Sequence, residues 1–351
     1  MTVQEKINAV AQLGRFISQS ASLPVMRLKL PHNEEFLDKL EAAIRLAESY
    51  NGWYTEEQVR YALNAWANAL TEEQLEDWLA PYRLEEKTQK VVGLVLAGNI
   101  PLVGFHDVLS VLLSGHIALI KCSSSDMTLL PLLLDYLIAI EPRFKDRIHF
   151  TEGRLENFDA VIATGSNNTA RYFEYYFRGK PSIIRKSRNS VAVLTNKETP
   201  EELRALGEDI FRYFGLGCRN VSKLFVPRNY DFAPFFEAMF IQSDIIHYQK
   251  YANNYDYNKA VFLMSNFKIL DNGFMTLKED AAYASPISSV FYEYYDDLAQ
   301  VQQRLEHDAE QLQCVVGSAI SGGIPFGTTQ KPSLRDYADG VDTIQFLTSL
   351  R

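Results

Sequence analysis

The run Val91-Val92-Gly93-Leu94-Val95-Leu96-Ala97, followed at once by Gly98-Asn99-Ile100-Pro101, restricts the fold of this chain more than any other stretch. Seven residues without a charge read as a buried strand, and the Gly-Asn-Ile-Pro tetrapeptide reads as the tight turn that ends it. The texture then repeats. A helix is expected from about Leu102 to Ser114, where Gly115 stops it; a strand follows over Ile117 to Lys121, and a second helix over Met127 to Ile140. Further strands are expected near Ile148-His149-Phe150 and Ala160-Val161-Ile162-Ala163. Strands alternating with helices fold as an α/β layer, a largely parallel sheet covered by helices. Ligands of such sheets bind where strands end and helices begin, which puts Asn99, the segment Lys121 to Ser124, and Gly165-Ser166 on one rim.

Ahead of this alternation, residues 1–90 carry apolar side chains at helical spacing, with Phe36, Leu40, Ala43 and Ile44 on one face. Thr55-Glu56-Glu57 and Thr71-Glu72-Glu73 are capping signals, so this stretch is expected to be a helical N-terminal layer whose charge runs are solvated faces. At 351 residues the chain exceeds the size at which a single core stops growing, and two lobes are expected. The first α/β domain is expected over residues 91–194, a second over 195–324, and a C-terminal return segment over 325–351. The second lobe should hold a helix from Pro200 to Phe214 and strands at Val221–Val226, Ala260–Met264 and Ile287–Tyr292; the return segment should end in a strand at Thr343–Leu347. Aromatic residues crowd Phe232 to Phe236 and Tyr248 to Tyr257, as a core would require, or the lining for an apolar ligand chain.

Composition removes several functions. Forty-four acids against thirty-five bases give a net charge of -9, the wrong sign for a surface that must neutralise the phosphates of a nucleic acid. No stretch of about eighteen apolar residues is present to span a bilayer, and the N-terminus lacks the basic segment and apolar run of an export signal. Cys122, Cys218 and Cys314 cannot all pair within one chain, and none has the close spacing of a metal site. Reduced thiols in a cytoplasm fit this pattern.

One cysteine stands apart. In Phe211-Arg-Tyr-Phe-Gly-Leu-Gly-Cys-Arg-Asn-Val-Ser-Lys-Leu-Phe-Val-Pro227 a helical run ends at Gly215, Gly217 permits a tight turn, and Cys218 precedes an apolar strand. A thiol held between a helix end and a strand suits a nucleophile, with Arg219 and Lys223 supplying positive charge that favours thiolate. The bland alternative is a small buried hydrophobe. Cys122 and Cys314 read as structural. Thr164-Gly165-Ser166 precedes a helix over Tyr172 to Phe177, either as a phosphate site or as a plain cap. Arg185, Lys186 and Arg188 form a small basic cluster, a phosphate attractor or a solvated turn. His106 and His116 read as satisfied polar residues, and Asp107 beside His106 is not enough for a triad.

Taken in order, Gly98-Asn99-Ile100-Pro101, Ile120-Lys121, Thr164-Gly165-Ser166, Gly215-Leu216-Gly217-Cys218 and Pro325-Phe326-Gly327 resemble the aldehyde dehydrogenase superfamily. Within it the chain is similar to the acyl-CoA reductases of the LuxC family, over roughly residues 91–347. The resemblance implies a two-lobed, aldehyde-dehydrogenase-like fold, one lobe for a nicotinamide cofactor and one for catalysis, with Cys218 as the nucleophile that becomes acylated. It gives the Asn99 amide and the Cys218 backbone N–H to an oxyanion hole, and Lys121 to the adenosine ribose, while Gly165 and Ser166 belong to its cofactor turn. Ser124 falls where NAD-preferring members often carry an acid, which favours NADPH, with NADH as the alternative.

Two departures matter as much as the matches. Ile184, thirty-four residues before Cys218, matches the glutamate that activates water in the hydrolytic dehydrogenases. A second family glutamate falls near Ala282, with Glu279 and Asp280 as nearby substitutes. The resemblance therefore implies reduction of an acyl-CoA or acyl-carrier thioester to an aldehyde. The alternatives are an aldehyde dehydrogenase making acids, or a member that binds acyl groups without turnover. A dimer is usual for the family, and an acyl-transferring partner enzyme is a further expectation.

Overall fold

In the computed structural model, which describes residues 1–84 and 88–350, four helices precede the first strand: α1 (Val3–Ser18), α2 (Asn33–Tyr50), α3 (Glu56–Ala69) and α4 (Glu72–Leu79). Thr2, Thr55 and Thr71 cap α1, α3 and α4, each accepting from the backbone N–H three residues on. That satisfies a donor the helix itself cannot pair. Phe36, Leu40 and Ile44 of α2 are buried, as their spacing requires.

These helices share a core with a sheet built from β1 (Val91–Val95), α5 (Phe105–Leu113), β2 (Ile117–Lys121), α6 (Leu129–Ile140), β3 (Ile148–Phe150), β4 (Ala160–Thr164), α7 (Asn167–Tyr176) and β5 (Ser182–Arg185). Phe16 of α1 stacks on Tyr136 of α6 at 3.9 Å between ring centroids, one visible part of that joint core. The strand order is β3-β2-β1-β4-β5, parallel throughout. Val95 at the end of β1 pairs with Lys121 of β2 on one side and Ala163 of β4 on the other. The order therefore reverses between β1 and β4, and the crevice beyond their carboxyl ends is where open α/β sheets bind ligands.

Residues 187–332 form a second compact unit, while 333–351 return to the first. The second unit contains β6 (Asn189–Val193), α8 (Pro200–Phe211), β7 (Val221–Pro227), α9 (Ala233–Met239), α10 (Gln249–Met264), β8 (Ile269–Asp271), β9 (Thr276–Glu279), β10 (Ser289–Tyr295), α11 (Leu298–His307) and β11 (Leu312–Val316). Its order is β11-β6-β7-β10-β9-β8, parallel except for the β8–β9 pair. Leu206, Leu224, Phe235 and Met239 belong to one buried cluster, and Val191, Phe225, Val301 and Leu305 to another. Successive β7 residues Leu224 and Phe225 go to different clusters, so the sheet is covered on both faces.

Two runs expected as strands are helices. Ala260–Met264 closes α10, whose buried Tyr251, Tyr255 and Phe262 recur at helical spacing. Thr343–Leu347 lies in α12 (Thr343–Thr348), which starts where Asp342 accepts from Gln345 N–H and which buries Ile344 and Leu347. Apolar runs this short fit either state, and the capping and burial pattern decides. Of the crowded aromatics, Phe232, Phe235, Tyr251 and Tyr255 are core, whereas Tyr257 is 69% exposed. Among the described residues no helix is long and apolar enough to cross a membrane, and no His, Cys, Asp and Glu group is placed to hold a metal ion.

Candidate active site

α8 ends at Phe211 and the chain enters a left-handed turn over Arg212–Gly215, with Tyr213 at φ 52°, Phe214 at φ 59° and Gly215 at φ 78°. Gly217 follows at φ 101°. Glycine adopts this left-handed region freely, whereas for Tyr213 and Phe214 it costs on the order of 1–3 kcal/mol each. Packing holds them there. Both rings are buried, and Phe214 stacks on Tyr248 at 4.6 Å. Asn220 is buried behind the turn and its Nδ2 donates to the Arg212 carbonyl at 2.6 Å.

Cys218 stands half-buried between this turn and β7. Its carbonyl accepts from Ser190 Oγ at 2.8 Å, and that Ser190 hydroxyl in turn accepts from Cys314 N–H at 3.1 Å, tying the thiol's backbone to β6 and β11. The Pro325-Phe326-Gly327 segment is tied to α8: Asp209 accepts from Gly327 N–H at 2.6 Å and from Thr329 N–H at 3.0 Å. One α8 carboxylate thus holds the Pro325-Phe326-Gly327 segment to the helix that leads into the thiol turn. Burial pushes that carboxyl above its ordinary range, and the backbone donors partly offset the rise.

The cationic surroundings expected for the thiol are corrected in one respect. Lys223 is fully buried, and its ammonium donates to the carbonyls of Asp280 and Ala281, each at 2.9 Å, and to Glu293 at 2.7 Å. With all three N–H bonds taken, it anchors the loop after β9 rather than supplying charge to Cys218. Arg219 Nη1 lies 3.5 Å from Cys314 Sγ and 3.4 Å from the Thr329 carbonyl. Of the other two thiols, Cys314 is buried, and burial together with nearby Asp126 pushes Cys122 up to about 11.

In that anchored loop, Ala282 is exposed and donates its N–H to Asp280 Oδ1 at 2.9 Å, while Asp280 Oδ2 pairs with Lys278. Asp280 is therefore committed on both oxygens. Glu279 is exposed and lines a depression of about 440 Å³ with Phe267, Lys268, Asp280, Ala281 and Glu293.

In the first unit, Asn99 follows β1 and is exposed, with its neighbours Gly98 buried and Ile100 half-buried. Lys121 ends β2 and donates to the Gly153 carbonyl at 2.8 Å; Ser124, three residues on, is exposed. Ser166 caps α7, accepting from Thr169 N–H at 3.3 Å, so the plain-cap reading of Gly165-Ser166 is realised without removing the donors at that helix start. Gly165 packs so closely that an added Cβ would stand 3.0 Å from Thr169. Asn99, Lys121, Ser124, Gly165 and Ser166 all follow or end strands that are neighbours in the sheet.

Ile184 is half-buried in β5, flanked by buried Ile183 and Arg185. The basic cluster does not act as one. Arg185 pairs with Asp107 at 2.6 Å in the interior, Lys186 pairs with Glu174 at 2.8 Å on the surface, and Arg188 donates to the carbonyls of Ala309 and Leu312. Asp107 is thereby committed to Arg185, not to His106, whose Nε2 meets the Leu334 carbonyl at 2.9 Å. His116 accepts at Nδ1 from Lys90 N–H, so its Nε2 carries the proton donated to the Leu347 carbonyl. Both histidines thus have ring nitrogens bonded to the backbone.

Sequence reasoning missed Asn51, Tyr54 and Asp126, which gather around the Asn99 turn. The only hint was the Asn-Gly pair after α2, a turn signal without any sign of what the turn would face.

The model of the acyl-CoA reductase (LuxC) family matches residues 32–234. No curated protein sequence matches the chain at significance. Among solved structures, the P. syringae indole-3-acetaldehyde dehydrogenase AldA, as a variant with NAD+ and IAA, is 13% identical with a TM-score of 0.63, over 92% of this chain and 74% of that one. A NAD-dependent benzaldehyde dehydrogenase from Corynebacterium glutamicum is 13% identical with a TM-score of 0.61, over 86% and 74%. Aldehyde dehydrogenase 21 from Physcomitrella patens, solved with succinate, is 13% identical with a TM-score of 0.60, over 87% and 75%. At such identities the structures establish the aldehyde-dehydrogenase-like fold.

Proposed function

The chain belongs to the acyl-CoA reductase (LuxC) family, and on that premise we propose that it reduces an acyl thioester to an aldehyde with a nicotinamide cofactor, through an acyl-enzyme on Cys218. The observation that carries this reading is the thiol itself: Cys218 is half-buried on a left-handed turn held by buried Asn220 and by Ser190. A backbone fixed at this cost suits a group that must meet a carbonyl in one geometry.

The Cys218 thiolate attacks the thioester carbonyl carbon, and the carbonyl electron pair moves to oxygen. The Asn99 amide and the Cys218 backbone N–H steady that oxyanion. Collapse breaks the bond to the CoA or carrier sulfur, which leaves as a thiolate, takes a proton, and leaves the acyl group on Cys218. When bound, a reduced nicotinamide supplies hydride to the acyl carbon. The same two donors steady the second oxyanion, and departure of the Cys218 thiolate frees the aldehyde.

The residues at the carboxyl ends of β1, β2 and β4 fit a nucleotide. The start of α7 offers backbone donors and the positive end of a helix dipole beside Gly165 and Ser166, Lys121 offers an ammonium, and exposed Ser124 carries no charge to repel a 2′-phosphate. NADPH is accordingly the proposed cofactor. The first unit is proposed to hold it and the second to carry the thiol.

By the resemblance Ile184 stands where the hydrolytic dehydrogenases carry their water-activating glutamate, and an apolar side chain in that role supplies no base, which supports reduction over hydrolysis. Exposed Glu279 is the proposed substitute for the family glutamate missing at Ala282, since Asp280 is committed elsewhere. The test is aldehyde formation from acyl-CoAs of graded length with NADPH. Free acid appearing in place of aldehyde, or NADP+-dependent oxidation without the reverse reaction, would contradict the proposal.

A further inference from the structure

The carbonyls on both sides of Asn99 are held by side chains from elsewhere in the first unit. The Gly98 carbonyl accepts from Asn51 Nδ2 at 3.0 Å and from Ser125 Oγ at 3.1 Å, filling both lone pairs. The Ile100 carbonyl accepts from Tyr54 OH at 2.9 Å. Two residues further, Leu102 N–H donates to Asp126 Oδ2 at 3.3 Å while Leu102 itself sits at φ 58°. Gly98 has no room for a side chain, since a Cβ would stand 2.7 Å from Ser123 Cβ and Oγ. The clamp comes from two directions, the α2–α3 connection with Asn51 and Tyr54 and the segment after β2 with Ser123 to Asp126.

The pattern is unusual for a turn at the end of a strand. Such carbonyls ordinarily face water, and a turn that only reverses the chain needs no buried tyrosine and asparagine to bind them. Tyr54 is 2% exposed and Asn51 9%, yet the residue between the clamped carbonyls, Asn99, is exposed. Tyr54 and Asn51 are themselves locked together, as Tyr54 N–H donates to the Asn51 carbonyl at 2.7 Å and Asn51 Oδ1 accepts from Trp53 N–H at 3.1 Å. Rigid support on each side of one exposed amide is the arrangement that preorganises a donor.

We infer that Asn51, Tyr54 and Ser125 are positioning residues that hold the Asn99 turn so that its amide meets the oxyanion without reorganising. The inference rests on the role proposed above for Asn99. It also gives the helical N-terminal layer a part in the reaction, because two of the three clamps belong to it.

The experiment combines Tyr54→Phe and Ser125→Ala, each alone and with Asn99→Ala, using an acyl-CoA and NADPH, with hydrogen exchange of the peptide spanning residues 97–104 measured in parallel. Each substitution deletes one hydroxyl and keeps the fold's volume. Each single variant should lower kcat about three- to tenfold with KM within about twofold, the loss of one hydrogen bond's worth of rigidity. Ser125→Thr should restore the rate by returning the hydroxyl. With Asn99 already alanine, neither should lower kcat further, because a residue that acts through another has nothing left to act on. Full penalties persisting in the Asn99→Ala background would overturn the inference. If Asn99→Ala alone leaves kcat unchanged, the oxyanion role fails and hydrogen exchange decides the clamp separately. Exchange faster by about tenfold in both single variants would uphold the hold on the turn, and unchanged exchange would overturn it.

Discussion

The Asn220 side-chain amide donates to the Arg212 carbonyl at 2.6 Å, spanning the left-handed turn that delivers Cys218. The same nitrogen lies 3.4 Å from the carbonyls of Asp209 and Ile210, so one buried amide gathers the end of α8 before the chain turns. Asn220→Ala removes this buried donor from the end of α8 and should cost about 1–3 kcal/mol of stability. Chemical denaturation checks this through the midpoint. A midpoint equal to wild type would mean that the packing of Tyr213 and Phe214 holds the turn alone.

Asp126 sets a pH dependence. Burial pushes its carboxyl up to about 6, with the Leu102 N–H partly offsetting the rise. The folded state therefore favours the neutral acid, and this group costs nothing below its unfolded value near 4. As pH rises from about 4 to 6 its contribution to stability should fall, by about 3 kcal/mol in all at 1.4 kcal/mol per unit, and stay low above that. Asp126→Asn should remove this component, so wild type and variant should converge in stability near pH 4 and separate by pH 7.5, with the variant higher. Parallel pH profiles would show that Asp126 does not titrate in this range.

Ser124 fixes the cofactor prediction. A carboxylate there should repel a 2′-phosphate, so Ser124→Glu should raise the KM for NADPH by about tenfold or more and leave NADH nearly unchanged. Equal losses for both cofactors would move the ribose pocket away from Ser124.

At Ile184 the prediction is a gained activity. Ile184→Glu, in a half-buried strand, should place a base where water can be activated, and the variant should release free CoA and fatty acid without any nicotinamide. A carboxyl desolvated there would have its ionisation moved upward, so the hydrolysis should climb with pH, and aldehyde yield should fall as the shared intermediate drains. A folded variant without hydrolysis would separate Ile184 from the family glutamate's place.

The alternation after Val91 was legible because every break in it is chemical: Gly98 and Pro101 end one strand's environment, Gly115 ends α5, and each buried run is long enough to demand cover. The thiol turn was legible in part: Gly215 and Gly217 mark its end, but the helix expected to run to Phe214 stops at Phe211, because Tyr213 and Phe214 are held left-handed by buried packing that no local pattern announces. The apolar residues of α10 and α12 were not legible, because a five-residue run looks alike in both states and only the buried Tyr251 and Tyr255, or the Asp342 cap, assign the helix. Asn51 and Tyr54 lie forty-six or more residues from the carbonyls they hold, beyond any local pattern. Lys223 was misread for a related reason: a lysine inside an apolar strand announces a buried partner, but Glu293 and the loop carbonyls that receive it are identified only by the fold.

The acyl-enzyme is the centre of the proposed reaction, and its site can be read by mass. Wild-type protein mixed with acyl-CoA in the absence of nicotinamide, then digested, should carry one acyl group on the peptide containing Cys218. Cys122→Ala and Cys314→Ala should acylate equally, consistent with a Cys122 thiol held near 11 and a buried Cys314, while Cys218→Ala should stay unmodified. An acyl adduct persisting in Cys218→Ala, or a wild type that never acylates while still making aldehyde, would contradict the mechanism.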